Sequence, residues 1–258
     1  MGTMKNVLTI AGSDPSGGAG LQSDLRTFSS FNVRGLSVVT AVTAQNSASV
    51  KSAAAVPGRL LKDQLELLFE EFTIDAAKTG MIGSLENLRV IKKFIEAREV
   101  KNLVIDTVLR STTGRPLLDK AGVREMASLL PLAAIVTPNI PEAAALTGLK
   151  IKDMTGMERA AKALFEMGAR NVLVKGGHLD AAPTDLLYDG KSFTCLKGRR
   201  IKGPEAAFHG TGCMLSAAIA ACLARGRKMD AAVREAKSFL EKELRGRVRA
   251  SASPGPSR

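Results

Sequence analysis

Short apolar runs, each halted by glycine or a polar residue, recur along this chain with leucines or isoleucines at helical spacing between them. Val7-Leu8-Thr9-Ile10-Ala11 stops at Gly12, and Leu21, Leu25 and Phe28 follow three or four residues apart. A second β-branched run occupies Leu36 to Val42. Leu60, Leu61, Leu65, Leu68 and Phe72 mark a helix after Pro57, and Leu85, Leu88, Ile91 and Ile95 another, with Ser84 as its N-cap. Leu103–Ile105 ends in Asp106, Ala133–Thr137 in Pro138-Asn139, and Val172–Val174 in Lys175-Gly176-Gly177. Thr155-Gly-Met-Glu158 has the form of a capping box for a helix that stops before Gly168. Buried strands alternating with amphipathic helices call for an α/β sandwich around a mainly parallel sheet.

The pattern then changes. Leu186–Tyr188 and Ser192–Thr194 flank Asp189-Gly190, a strong hairpin signal. Two helices follow, one opening at Gly212 and one from about Asp230 to Leu244. One domain over residues 1–245 is expected, with 246–258 a basic, disordered tail. With 258 residues the chain can bury a full core without disulfides or metals, and 45% hydrophobic with 24% charged residues excludes wholesale disorder. Its three cysteines show neither disulfide nor metal-ligand spacing. No run approaches eighteen uninterrupted apolar residues and no leader is evident, so a cytoplasmic protein is expected. The net charge of +12 admits nucleic acid, an acidic surface or phosphorylated small molecules as partners. With no Trp and one Tyr, nucleic-acid and membrane partners have little support beyond charge.

Asp106, Asn139 and Lys175 each follow an apolar run at its C-terminal end, and in a parallel sheet those ends share the ligand-binding edge. Gly12–Gly20 is glycine-rich but lacks both the acidic ribose partner of a dinucleotide site and a Gly-Lys-Ser/Thr sequence. His209-Gly210-Thr211-Gly212-Cys213 stands before a small-residue helix, where unpaired N–H groups and the helix dipole suit an anion. Cys213 is expected there with a lowered pKa and a reachable thiolate, or as a small buried hydrophobe; Cys222 reads as core. Neither His178 nor His209 is paired to a nearby acid in a recognisable triad, so each reads as a loop hydrogen-bonder. Gln45 offers an amide suited to a heteroaromatic ring edge.

Together, Ala11–Gly20, Ala44-Gln-Asn46, Lys78-Thr-Gly-Met81, Thr137–Glu142, Val174–His178 and His209–Cys213 resemble the hydroxymethylpyrimidine/phosphomethylpyrimidine kinases of the ribokinase-like superfamily, in the family's order. The resemblance covers about residues 7 to 245 and implies a three-layer α/β/α fold, ATP and Mg²⁺ as cofactors, and two successive phosphorylations in thiamine biosynthesis. The substrate implied is 4-amino-5-hydroxymethyl-2-methylpyrimidine, then its monophosphate. Carried over, Asn139 and Glu142 would position Mg²⁺ through water with Asp106 nearby, and Lys175 would face the triphosphate. Gly210, Thr211 and Gly212 would form the anion hole, with Cys213 as base for the alcohol. Gly12, Asp24 and Met81 would shape the substrate pocket, Ala19 by its backbone, and Gln45 would read the pyrimidine. The hairpin, followed by Lys197, Arg199, Arg200 and Lys202, would act as a flap over ATP. The chain departs from the family pattern at Phe208, at Met214 and across Thr107–Gly114. A homodimer is a carried-over expectation. A pyridoxal kinase on the same scaffold, or a non-catalytic nucleotide- or nucleic-acid-binding protein, are the alternatives.

Overall fold

A computed structural model describes residues 4–110, 117–118, 120–177 and 183–252. β1 (Asn6–Ser13), α1 (Gly20–Ser30), β2 (Arg34–Gln45) and β3 (Val50–Ala55) lead into α2 (Gly58–Glu71), β4 (Ala76–Thr79), α3 (Leu85–Arg98) and β5 (Leu103–Ile105). α4 (Lys120–Ala127) precedes β6 (Ile135–Val136), α5 (Ile140–Thr147), α6 (Met154–Glu166) and β7 (Val172–Val174). β8 (Thr184–Tyr188), β9 (Phe193–Lys197), α7 (Thr211–Ala224) and α8 (Met229–Ala252) follow.

The strands make one sheet in the order β3-β2-β1-β4-β5-β6-β7-β8-β9. Strands β2, β1, β4, β5, β6 and β7 pair in parallel; β3, β8 and β9 are added antiparallel. Alternation along each parallel strand splits the apolar residues between two cores. Leu8, Ile10, Leu103, Ile105, Val172 and Val174 face the helices α2, α3, α5 and α6. Val7, Val104, Ile135 and Leu173 face α1, α7 and α8. The result is a three-layer α/β/α sandwich. Each fully buried Leu or Phe in these layers contributes about 1.5–3 kcal/mol.

Chain order reverses direction at β1: β2 lies on one side of it and β4 on the other. Such a switch point opens a crevice outside the carboxyl ends of the strands. The glycine loop after β1 and the Gly80-Met81 turn after β4 border that crevice.

Some local expectations are revised. Ser84 does cap α3, accepting from Asn87 N at 3.1 Å. The cap of α6 is Asp153, which accepts from Gly156 N at 2.8 Å, whereas Thr155 is exposed in the first turn. The Asp189-Gly190 hairpin forms as expected: β8 pairs with β7, β9 pairs with β8, and the hairpin widens the sheet. α8 continues to Ala252, past the boundary expected at residue 245, so Arg247 and Arg249 are helical. Val248 packs against Gly203 on that final stretch. Residues 253–258 of the expected tail lie outside the described residues. The segment Glu205–Ala224 is long and apolar enough to cross a bilayer, yet 67% of its apolar window is buried inside the fold, as in a central helix.

Candidate active site

A cavity of about 520 Å³ sits at the carboxyl ends of the parallel strands. Of the residues singled out above, Gly12, Ala19, Gln45, Met81, Asp106, Asn139, Glu142, Lys175 and Gly210–Cys213 line it; Asp24 does not. Seven segments separated by long stretches of sequence therefore meet, because parallel strands return each following loop to the same sheet edge.

At one end is a cluster of charges. Lys175 Nζ donates to Asp106 Oδ1 at 3.0 Å, and Ser216 Oγ donates to Asp106 Oδ2 at 3.1 Å. Burial opposes ionisation of Asp106, but Lys175 and Lys78 outweigh it and hold the carboxyl below its ordinary range. Burial likewise works against the charge of Lys175, and Asp106 and Glu142 more than offset it, raising its pKa. Asn139 and Glu142 form a capping box on α5: Glu142 N donates to Asn139 Oδ1 at 2.9 Å, and Asn139 N to Glu142 Oε2 at 2.8 Å. Thr107 Oγ1 donates to the same Glu142 oxygen at 3.2 Å. Burial, with Asp106 adding to it against the pull of Lys175, raises the pKa of Glu142. A carboxylate disfavoured by burial and by a neighbouring acid is a natural partner for a divalent cation. Among the described residues no cluster of three ligating side chains exists. Two carboxylates nevertheless fit Mg²⁺, which is commonly held by one or two carboxylates together with substrate phosphates.

The adjoining wall is the start of α7. Gly210 is its N-cap with φ +75°, and no side chain caps that end. A Cβ at Gly210 would lie 2.0 Å from Gly18 O, so glycine is required by both conformation and space. The first-turn N–H groups consequently open on the cavity with the positive end of the helix dipole behind them. A Cβ on Gly212 would stand 3.2 Å from Lys175 Nζ, which places the lysine directly against this turn.

Cys213 sits on that turn, and its sulfur accepts from Gly20 N at the start of α1. The expected lowered pKa is corrected. Burial pushes the thiol up to about 11, although Lys78 pulls in the other direction. The thiol is thus protonated at neutral pH, because desolvation outweighs the helix terminus. Cys222 is buried in the apolar core, as expected.

The third wall belongs to the loop after β1. A Cβ on Gly12 would meet Met81 Sδ at 3.1 Å, so the two residues form one surface. Ala19 lines the cavity, but its N–H is committed to Asp14 Oδ2 at 2.8 Å and its carbonyl to Ser23 N. Asp24 lies beneath the floor, fully buried, accepting from Lys78 Nζ at 2.8 Å and Thr9 Oγ1 at 2.6 Å. Its hydrogen-bonded link to the site is Lys78, whose positive charge it holds in place.

Lys78 itself was not singled out by charge, since a lysine inside an apolar run carries no spacing signal. His209 is not an isolated loop donor: its Nε2 lies 3.1 Å from Asp14 Oδ2, a partner 195 residues away in sequence. Asp14 also accepts from Ser16 and Ala19; burial disfavours its charge, but these bonds and His209 bring its pKa down. Phe208 forms part of the wall. His178 and Ser111–Gly114 lie outside the described residues. Lys197, Arg199, Arg200 and Lys202, which follow the hairpin, are not among the cavity residues.

The phosphomethylpyrimidine kinase family matches residues 14–258. The hydroxymethylpyrimidine/phosphomethylpyrimidine kinase of Haemophilus influenzae is 41% identical over 264 residues, covering 100% of this chain and 97% of its own. A thiamine biosynthesis bifunctional protein of Geobacter sulfurreducens is 42% identical over 93% of this chain and 49% of its own length. Among solved structures, a phosphomethylpyrimidine kinase from Clostridium difficile 630 superposes with a TM-score of 0.84 at 38% identity, over 93% of this chain and 99% of its own. The pyridoxal kinase of Staphylococcus aureus, in complex with pyridoxal, gives a TM-score of 0.85 at 36% identity, over 93% and 87%. With a family match from residue 14 to the C-terminus and relatives of full length, this chain belongs to the phosphomethylpyrimidine kinases.

Proposed function

We propose that the chain transfers the terminal phosphoryl group of ATP to the hydroxymethyl group of 4-amino-5-hydroxymethyl-2-methylpyrimidine, and then to the resulting monophosphate, in thiamine biosynthesis. The observation that carries this reading is the meeting, in one cavity, of the open α7 N-terminus, the Lys175–Asp106 pair and the Gly12–Met81 surface. Phosphoryl transfer asks the protein chiefly for position and charge compensation. The N–H groups of Thr211 and Gly212 supply donors for the oxygens of the group in transit. Lys175 neutralises phosphate charge and is itself oriented by Asp106. Asp106 and Glu142 would hold Mg²⁺, which neutralises the phosphates when bound. Gln45 stands at the end of β2 and lines the cavity, where its amide would pair with a pyrimidine edge.

Cys213 is the group nearest in role to a base for the alcohol. Its raised pKa means that the thiol must lose its proton before it can take one from the substrate. The monophosphate is already ionised and needs no such help. A neutral thiol also spares the second substrate the repulsion that a carboxylate would exert.

The likeness to a pyridoxal kinase of similar TM-score favours pyridoxal as a second substrate to test. ADP release is therefore measured with the pyrimidine alcohol, its monophosphate and pyridoxal side by side, with Mg²⁺ and with a chelator. Turnover of both pyrimidines, abolished by chelation, is the expected result. Turnover of pyridoxal alone would replace the pyrimidine assignment. A homodimer is part of the proposal, supported by β3, an outer strand whose residues Lys51–Ala55 are exposed.

A further inference from the structure

His209 is held at both ends. Its ring meets Asp14 on the loop after β1, while its main-chain oxygen accepts from Arg247 Nη1 on α8 at 2.9 Å. The next residue is Gly210, the uncapped start of α7. Rotation of the peptide between His209 and Gly210 would redirect the first N–H groups of the helix. With no side-chain cap there, the Arg247 bond to the His209 carbonyl is a restraint on that rotation.

The placement of Arg247 has opposing terms. Burial and the neighbouring Arg26 both act against its charge, and ordering a long side chain has an entropic cost. The guanidinium nevertheless stays on a carbonyl of the site. Arg26 does the equivalent on the first glycine loop, donating to Gly17 O. Thus α1 and α8 each send an arginine to a backbone carbonyl of one of the two loops that meet at Gly18 and Gly210.

We propose that Arg247 is a positioning residue for phosphoryl transfer: by fixing the His209 carbonyl it aims the opening N–H groups of α7 at the phosphoryl group. This inference rests on the kinase reading and gives the end of α8 a task within it.

The test uses the full chain with Arg247→Ala, Arg247→Lys, Arg247→Gln and a control, Arg245→Ala, whose side chain is exposed beside Glu241. ADP release is measured for each, together with calorimetric binding of ADP and of AMP-PCP. Arg247→Ala is expected to lower kcat about 10-fold, a fraction of the loss when such a donor is removed outright, with KM for the pyrimidine alcohol within about twofold. AMP-PCP binding should weaken about 10-fold and ADP binding stay unchanged, because only the former carries a terminal phosphoryl group to the turn. Arg247→Lys, which keeps a cationic donor, should recover most of kcat, and Arg245→Ala should match the unsubstituted protein.

Wild-type kcat in Arg247→Ala, or equal weakening of ADP and AMP-PCP, overturns the proposal. Should the alanine variant fail to fold, equal kcat in the Gln and Lys variants overturns it, and higher kcat in Lys supports it. If the unsubstituted protein turns over no pyrimidine, the pyrimidine assignment fails, and the ADP against AMP-PCP comparison still decides the role of Arg247.

Discussion

Cys213 shows how one residue carries opposing influences. The start of α7 and Lys78 favour a thiolate, while burial disfavours it and wins. Since the thiol titrates near 11, above the ordinary 9.0, its thiolate fraction at neutral pH rises about tenfold per pH unit. The rate of the alcohol step should therefore climb with pH between 7 and 9, while the monophosphate step stays flat. Cys213→Ala should lower the alcohol step about 100-fold and flatten its profile, leaving the second step within a few-fold. Separate single-turnover measurements decide it, and an unchanged alcohol step removes the base role. The Lys78–Asp24 pair makes a second, structural prediction. Both side chains are fully buried, so Asp24→Asn leaves a lysine charge without its partner. A loss of about 3 kcal/mol in urea unfolding is expected; a loss under about 0.5 kcal/mol would show that the pair adds little.

At the scale of elements, caps and termini separate structural from functional sequence. Asp153→Ala removes the bond to Gly156 N and should destabilise the protein by about 1 kcal/mol, whereas Thr155→Ala should change stability by less than about 0.5 kcal/mol. Thermal unfolding of the two variants tests this, with turnover unaffected in both because α6 contributes no cavity residue. The Thr-x-x-Glu spacing pointed to Thr155, and the structure puts the cap two residues earlier, at Asp153. The winning cap is the one whose backbone is extended while the following turn is already helical. The start of α7 obeys the opposite logic: it has no side-chain cap at all, and the donors so freed face the cavity.

Over the whole molecule, Asp14 ties the first glycine loop to His209 and hence to α7. Its pKa is depressed in the folded state, so its contribution to stability is present above the unfolded value of 3.8 and disappears as pH falls through the lower folded value. Between pH 6 and pH 3 the protein should therefore lose more unfolding free energy than Asp14→Asn does, measured by urea titration at each pH. Equal losses would mean that the carboxylate is not what joins the loops. Much of the architecture was legible beforehand: Val7–Ala11, Leu103–Ile105 and Val172–Val174 are strands, and Leu85–Ile95 falls on α3. β3, β4, α4 and α5 were not anticipated. β3 is an exposed strand, Val50–Ala55, without an alternating apolar face, so periodicity had nothing to report. The extension of α8 was masked in the same way by its basic residues; Val248 beside Gly203 and Arg247 on the His209 carbonyl tie it to the fold.

Local order alone determined the alternation of strands and helices, the polar residues at strand ends and the glycines before α7, because each depends on neighbours within a few positions. Tertiary structure decided which of these meet. Asp14 finds His209, Lys78 finds Asp24 and Arg247 finds the His209 carbonyl only when the sheet has brought distant segments to one edge. It also decided protonation: whether a thiol at a helix start is a thiolate depends on how much water folding removes from it, and no spacing of residues along a chain records that quantity.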